Sequence, residues 1–164
     1  KCLLGNHERS LLDFLEDTAA GPNWLLYGGG STLLSYGVGF SQGNGMDDLW
    51  ALIQDRLRDG IPPAHLEFLE SLEPGHIEGG YLFVHAGIKP GVALEKQELR
   101  DMLWIRNDFL KSHTDHGFCV VHGHTVTDQP EFQANRIGID TGAYSSGKLT
   151  CLVLEGEARR VIQT

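Results

Sequence analysis

The sequence predicts an α/β fold, in which short buried strands alternate with amphipathic helices. The apolar runs Tyr81-Leu82-Phe83-Val84 and Phe118-Cys119-Val120-Val121 have the length of buried strands. The lead-in Cys2-Leu3-Leu4 also resembles the end of a strand, and helical spacing follows it at Leu11, Leu12, Phe14 and Leu15. With 164 residues, of which 41% are hydrophobic, we expect one compact domain spanning residues 1–164.

Charge and composition exclude several classes of function. A formal net charge of −9 and a pI near 5.2 argue against sequence-independent nucleic-acid binding. We expect no membrane association, because no apolar run approaches the ~18 residues of a membrane span. The three cysteines form no C-x-x-C unit and no disulfide pattern, which indicates buried thiols in a reducing cytoplasm. The oligomeric state is left open.

A glycine-rich loop and three further helices are predicted after the first helix. The stretch Gly21–Gly45 contains many glycines and is predicted to be a flexible loop, with a lid over a substrate as one hypothesis. Met46–Asp59 and the segment opened by Pro62-Pro63 form a helical insert at about residues 44–73, with Trp50 and Phe68 in the core. A longer helical stretch follows from roughly Leu94 to Leu110.

Strands are predicted around a hairpin and in the carboxyl-terminal tail. Gly79-Gly80 separates a short segment from the strand that begins at Tyr81, which is typical of a hairpin. The tail contains apolar or β-branched runs at Arg136–Ile139, Lys148–Leu154 and Arg159–Ile162.

Three of the predicted strands end in a polar cluster. Asn6 and His7 follow the first, His85 follows the second, and His124 follows the third, preceded by His122. Because the carboxyl ends of strands meet at one edge of an α/β sheet, we expect these side chains to converge. Neutral imidazoles and an amide oxygen suit a divalent transition ion, and His7 adds a proton donor. His122 could line the site or support a ligand through a hydrogen bond, and a supporting or structural role is the favoured interpretation.

The same residues carry a resemblance to a known family. Gly5-Asn6-His7-Glu8, His85-Ala86-Gly87 and Gly123-His124-Thr125 resemble, in this order, the later motifs of the phosphoprotein phosphatase family of calcineurin-like metallophosphoesterases. The likeness is strongest to the bacterial and phage serine/threonine phosphatase branch. Leu103-Trp104-Ile105-Arg106 resembles the segment with a phosphate-binding arginine, and Ile139-Asp140-Thr141-Gly142 resembles a turn before a late strand.

This resemblance implies a fold, a site and a reaction. The fold would be the carboxyl-terminal portion of an αββα sandwich, with mixed sheets flanked by helices. Asn6, His85 and His124 would bind one of two divalent ions, with manganese expected first and iron or zinc as alternatives. A hydroxide bridging the ions would attack phosphorus, and His7 would protonate the leaving group. Arg106 would hold the phosphoryl oxygens, and Tyr144, which follows the Asp140 turn, would edge the substrate pocket or pack against it.

The chain departs from the family in its upstream motifs. Asp-x-His-Gly and Gly-Asp-x-x-Asp-Arg-Gly, which would supply the ligands of the first ion, do not occur in the sequence. Either the chain is a carboxyl-terminal fragment, or the protein has lost half of its metal centre. We expect a fragment that lacks the amino-terminal motifs and that has negligible phosphatase activity by itself.

Three functions are compatible with these motifs. The leading prediction is a metal-dependent phosphatase acting on phosphoserine and phosphothreonine in a phosphoprotein, or on a phosphorylated small molecule. The first alternative is a symmetrical diadenosine tetraphosphatase, because His85-Ala86-Gly87-Ile88 resembles that relative too, although Glu8 is closer to the protein phosphatases. The second alternative is a phosphate-binding module without catalysis.

Overall fold

Two compact units make up the chain, and each is described separately. The computed structural model describes residues 1–39 and 46–164. A helical unit comprises Leu4–Leu72, and a sheet unit comprises Lys1–Leu3 together with Glu73–Thr164. The single domain over residues 1–164 stays a prediction.

The helical unit is built on α1, which begins directly at the Asn-His motif. α1 spans Asn6–Glu16, and its Leu11 and Phe14 are buried, as the helical spacing predicts. The remaining helical elements are a 3-10 turn at Thr18–Ala20, α2 at Gly21–Trp24, a π-helical turn at Leu25–Gly29, α3 at Gly30–Ser35, α4 at Met46–Gly60 and α5 at Pro63–Glu70. Their common core contains Phe14, Trp24, Leu33, Ile53 and Leu57.

The flexible loop predicted from Gly21 onward is wrong for the stretch that reaches Ser35, which is helical. Trp24 and Leu33 are buried in the core of the unit, and their packing outweighs the low helix propensity of the glycines. The run is interrupted by a kink at Tyr27 and Gly28, and the φ of 106° at the second of these favours glycine. The lid hypothesis covers the whole stretch Gly21–Gly45, and its part at residues 40–45 lies outside the described residues.

The two predicted helices of the insert are confirmed as α4 and α5. Trp50 packs against the core and meets the Phe14 ring edge-on at 6.0 Å. The prediction that Phe68 is a core residue is wrong, because its side chain is 52% exposed.

The sheet unit contains a five-stranded mixed sheet and a two-stranded hairpin. The strands are β1 Gly75–Glu78, β2 Tyr81–Val84, β3 Cys119–His122, β4 Glu131–Phe132, β5 Arg136–Gly138, β6 Thr150–Glu155 and β7 Ala158–Gln163. The order in the larger sheet is β1-β2-β3-β5-β4, and β6 pairs with β7. β2, β3 and β5 are parallel neighbours. At the two edges, β1 runs antiparallel to β2 and β4 runs antiparallel to β5. The predicted hairpin and tail strands are confirmed.

The two faces of the five-stranded sheet bury different layers. One face packs against two short helices, α6 (Leu99–Trp104) and α7 (Asn107–Leu110). Its core contains Leu82, Val84 and Val120 of the sheet together with Met102 of α6, Phe109 of α7 and Ile105, which lies between these helices. Cys119, Val121 and Ile137 form the core of the other face, with Leu152 of β6 packed against them. This alternation is the period-two pattern of strands buried on both sides. The predicted fold class, α/β with a mixed sheet flanked by helices, is confirmed.

Three predictions about local structure are corrected. The helix expected from Leu94 to Leu110 is three short pieces, a 3-10 turn at Leu94–Lys96 followed by α6 and α7. The strand expected at Cys2-Leu3-Leu4 is one isolated parallel bridge between Leu3 and Glu73. Of the three cysteines only Cys119 is buried, since Cys2 and Cys151 are exposed. Within the described ranges, no helix is long and apolar enough to span a membrane.

Candidate functional site

The candidate site lies where β2 and β3 end. These strands are parallel neighbours, with Leu82 opposite Val120 and Phe83 opposite Val121, so the residues that follow them lie at the same edge of the sheet. His85 comes directly after β2, and His124 comes two residues after β3. The Nε2 atom of His85 lies 3.2 Å from the Nδ1 atom of His124. The predicted convergence of these two histidines is therefore observed.

A tight turn presents the His124 ring. His124 has a φ of 62°, and no other described residue except glycine has a positive φ. The Gly123 amide donates to the His85 carbonyl at 2.8 Å, and the Thr125 amide donates to the Gly123 carbonyl at 2.7 Å. The left-handed conformation costs about 1–3 kcal/mol in a residue with a Cβ, and surrounding contacts must hold it. The turn is thus tied to the end of β2 by a backbone hydrogen bond.

The spacing of the two imidazoles fits a shared divalent ion. Two nitrogens that each bind one ion at about 2.0–2.1 Å lie about 3.0 Å apart at a right angle and about 3.4 Å apart at the tetrahedral angle. The observed 3.2 Å falls between these values, and in this structure the two nitrogens are joined by a hydrogen bond of that length. No group of three or more His, Cys, Asp or Glu side chains within residues 1–39 and 46–164 is arranged to hold a metal. The sheet unit accordingly contributes two imidazoles to the candidate centre.

His122 is the last residue of β3, directly before the turn that carries His124, and it is buried. Its Nδ1 lies 3.2 Å from the Gly123 carbonyl oxygen, and its ring meets the Phe109 ring edge-on at 5.1 Å. Burial lowers the pKa of His122 from 6.5 to about 4, which leaves the imidazole neutral at pH 7. Its contact with Gly123 is of the supporting kind that the sequence predicts for this residue.

Arg106 lies beside the His124 turn. One guanidinium nitrogen of Arg106 donates to the Thr125 hydroxyl across 3.4 Å, and the side chain is exposed. Arg106 lies with Ile105 between α6 and α7, so it is not part of one long helix as the predicted helical stretch implies. It lines an open cavity of about 280 Å³ with Arg100, Trp104, Asp101 and Asp108.

Two contacts of the site were not predicted from the sequence. The Trp104 ring meets the His124 ring edge-on at 5.7 Å, and Thr125 accepts the Arg106 hydrogen bond. Trp104 is half-buried and is the last residue of α6. Its position two residues before Arg106, and that of Thr125 directly after His124, are the available signals.

Asp140 and Tyr144 follow β5, which is the parallel neighbour of β3. The Asp140 carboxylate accepts from the Gly142 amide at 2.9 Å, which confirms its predicted role as a turn residue. Asp140 also lines a cavity of about 350 Å³ with His85 and His124. Tyr144 is not among the residues that line this cavity, and with 90% of its side chain exposed the packing alternative is wrong. Its contact with substrate stays a prediction.

Asn6 and His7 belong to the helical unit. Both lie in the first turn of α1, where Asn6 is buried and His7 is exposed. A Cβ added at Gly28 would lie 3.7 Å from the His7 ring, so that glycine leaves space beside the imidazole. That these two residues share one site with His85 and His124 stays a prediction.

Comparison with known proteins supports the fold rather than a family. The chain is similar to a solved structure described as "Crystal structure of a putative diadenosine tetraphosphatase", with a TM-score of 0.53 and 16% sequence identity. The match covers 98% of this chain and 67% of that chain. No protein-family model matches the sequence, and no curated protein matches it. At this level of identity the likeness establishes a shared fold.

Proposed function

We propose that this chain is part of a metal-dependent phosphoric ester hydrolase. The observation that supports it most directly is the 3.2 Å approach of His85 Nε2 to His124 Nδ1 at the ends of two parallel strands. Arg106 lies next to this pair through its contact with Thr125, so a guanidinium and two imidazoles share one edge of the sheet unit. Such a combination suits a substrate that presents phosphoryl oxygens to an ion and to an arginine.

Each residue of the proposed site has a separate task. His85 and His124 hold the ion through neutral nitrogens, and Asn6 supplies an amide oxygen as a third ligand. Arg106 binds two phosphoryl oxygens at once through its planar fork and orients the ester. His7 donates a proton to the leaving oxygen. When bound, divalent ions, with manganese as our first choice, supply a nucleophile at neutral pH and neutralise charge on the phosphoryl group.

The proposed substrate is a phosphoserine or phosphothreonine ester. It follows from the motif resemblance, above all from Asn6-His7-Glu8. The second candidate is diadenosine tetraphosphate, and the shared fold with the solved structure of a "putative diadenosine tetraphosphatase" favours it. Both candidates require an ion, an oriented phosphoryl group and a protonated leaving group, so they differ only in what the rest of the substrate contacts.

Metal binding by these residues is tested first, by isothermal titration of the 164-residue chain with Mn²⁺. We expect His85→Ala and His124→Ala each to weaken binding by at least about 10-fold, because each removes one nitrogen ligand. His113→Ala is the matched control, since His113 is exposed and lies in the loop before β3. Equal Mn²⁺ affinity in all four proteins would contradict the proposed centre.

The two substrates are separated by assaying the longest chain that the gene encodes. A phosphoserine peptide and diadenosine tetraphosphate are each incubated with enzyme and Mn²⁺, and phosphate or adenosine diphosphate is measured. We expect turnover of the peptide, and loss of it in His7→Ala. Turnover of diadenosine tetraphosphate alone would establish the second candidate, and turnover of neither would contradict the proposed hydrolase.

A further inference from the structure

The His122 imidazole makes one polar contact within the described part of the chain. Its Nδ1 lies 3.2 Å from the Gly123 carbonyl oxygen, and its buried Nε2 has no hydrogen-bond partner among the described residues. A carbonyl oxygen can only accept, so Nδ1 must carry a proton in this contact. The charged groups nearby have other partners, because Arg136 donates to Glu131 at 2.8 Å and Asp140 accepts from the Gly142 amide at 2.9 Å.

Packing fixes the position of this ring. His122 is only 3% exposed, and the Phe109 ring meets it edge-on at 5.1 Å. Gly138 on the neighbouring strand lies against the ring, since a Cβ there would lie 3.4 Å from both Cε1 and Nε2, at van der Waals contact. The Nδ1–H group is therefore held at one place, beside the turn that follows β3.

The Gly123 carbonyl that this group binds controls the presentation of His124. The same oxygen accepts from the Thr125 amide at 2.7 Å, so it closes the turn in which His124 has a φ of 62°. A second donor on that oxygen fixes the peptide plane that enters His124. The Gly123 amide, on the other side of the residue, is already bound to the His85 carbonyl.

We propose that His122 is a positioning residue, which holds the Gly123-His124-Thr125 turn so that His124 Nδ1 faces His85 Nε2. The buried donor offsets part of the cost of the left-handed conformation at His124. The expected effect of His122 on metal affinity rests on the proposed function, whereas its expected effect on the turn does not.

Three variants separate the hydrogen bond from the packing of the ring. His122→Phe keeps an aromatic ring but removes the donor. His122→Asn places an amide nitrogen near the position of Nδ1 and keeps the donor. His116→Phe is the matched control, because His116 also packs near the Phe109 ring, at 6.1 Å, and also has a buried Nε2 without a partner among the described residues.

The first readout is Mn²⁺ affinity, measured by titration of the four proteins. We expect His122→Phe to weaken binding by about 10–100-fold, the usual effect of losing a group that orients a metal ligand. His122→Asn should restore affinity to within about threefold, and His116→Phe should bind as the wild type does. Wild-type affinity in His122→Phe, or equal losses in the Phe and Asn variants, would overturn the proposal.

The second readout needs no metal, so it tests the positioning role of His122 even if the wild type binds no Mn²⁺. Failure of the wild type to bind Mn²⁺ would contradict the proposed function but not the positioning role. Amide hydrogen exchange is measured by NMR in metal-free protein. We expect His122→Phe to accelerate exchange at Thr125 by at least about 10-fold, with no change at Val120, which is bonded to Asn135 within the sheet. His122→Asn should exchange like the wild type. Unchanged exchange at Thr125 in His122→Phe would overturn the positioning role.

Discussion

At the scale of single residues, the arrangement around Arg106 offers an internal comparison. Arg100 and Arg106 line the same cavity of about 280 Å³, but only Arg106 reaches the turn that carries His124. Neither arginine forms an ion pair within the described part of the chain, although Asp101 and Asp108 line the same cavity. If the proposed site binds phosphate, the two guanidinium groups should therefore contribute unequally.

Arg106→Lys should weaken the binding of inorganic phosphate to the Mn²⁺-loaded chain by about 10-fold, because an ammonium group cannot bind two oxygens in the planar manner of a guanidinium. Isothermal titration with phosphate measures this. Arg100→Lys is the matched control and should stay within about twofold of the wild type. Equal losses in both variants would mean that the cavity attracts anions only through its total charge.

At the scale of secondary-structure elements, the helical run from Gly21 to Ser35 shows how packing decides the role of a glycine. Gly29 and Gly30 are adjacent and have similar helical φ angles, −56° and −58°. A Cβ added at Gly29 would lie 2.5 Å from the Trp24 ring, whereas at Gly30 the nearest atom would be Leu25 Cδ1 at 4.0 Å. The two positions differ in available space rather than in backbone conformation.

Gly29→Ala and Gly30→Ala should therefore change stability in opposite directions. We expect Gly29→Ala to lower the free energy of unfolding by about 1–3 kcal/mol, because Trp24 is buried and cannot move aside without loss of packing. Gly30→Ala should raise it by about 0.5–1 kcal/mol, because alanine has the higher helix propensity and the smaller entropy cost. Urea unfolding followed by circular dichroism measures both. Destabilisation of equal size in the two variants would indicate that this run is not helical in solution.

At the scale of the whole molecule, net charge separates binding of a phosphoryl group from binding of nucleic acid. The full sequence carries 13 Lys and Arg residues against 22 Asp and Glu residues, which gives a formal net charge of −9. A local ion or guanidinium can still attract a phosphate in a molecule of this charge, because the ion dominates the field at its own site.

We therefore expect no binding of single-stranded or double-stranded DNA, even at about 50 mM salt, where sequence-independent binding is much stronger than at about 200 mM. Fluorescence anisotropy of a labelled oligonucleotide measures this, with a basic DNA-binding protein as positive control. Binding that weakens steeply as salt increases would contradict the prediction and would indicate a basic surface that the net charge conceals.

Hydrophobic periodicity was sufficient for most of the elements. The runs at Tyr81–Val84 and Cys119–His122 form strands, and the spacing of Leu11 and Phe14 forms the buried face of α1. These patterns succeed because the side-chain periods of strands and helices are fixed by backbone geometry. Glycine content misled the prediction for Gly21–Ser35, because propensity is a weak signal once Trp24 and Leu33 have a core to enter.

The sequence by itself determined which chemical groups stand at the strand ends, since His85 and His124 follow apolar runs whose lengths can be read directly. Only the tertiary structure decided that β2 and β3 are parallel neighbours, and that the two rings approach to 3.2 Å. It also decided that Arg106 reaches Thr125 and that Tyr144 is exposed. Strand order and turn conformation depend on contacts between residues distant in sequence, and no local pattern encodes those contacts.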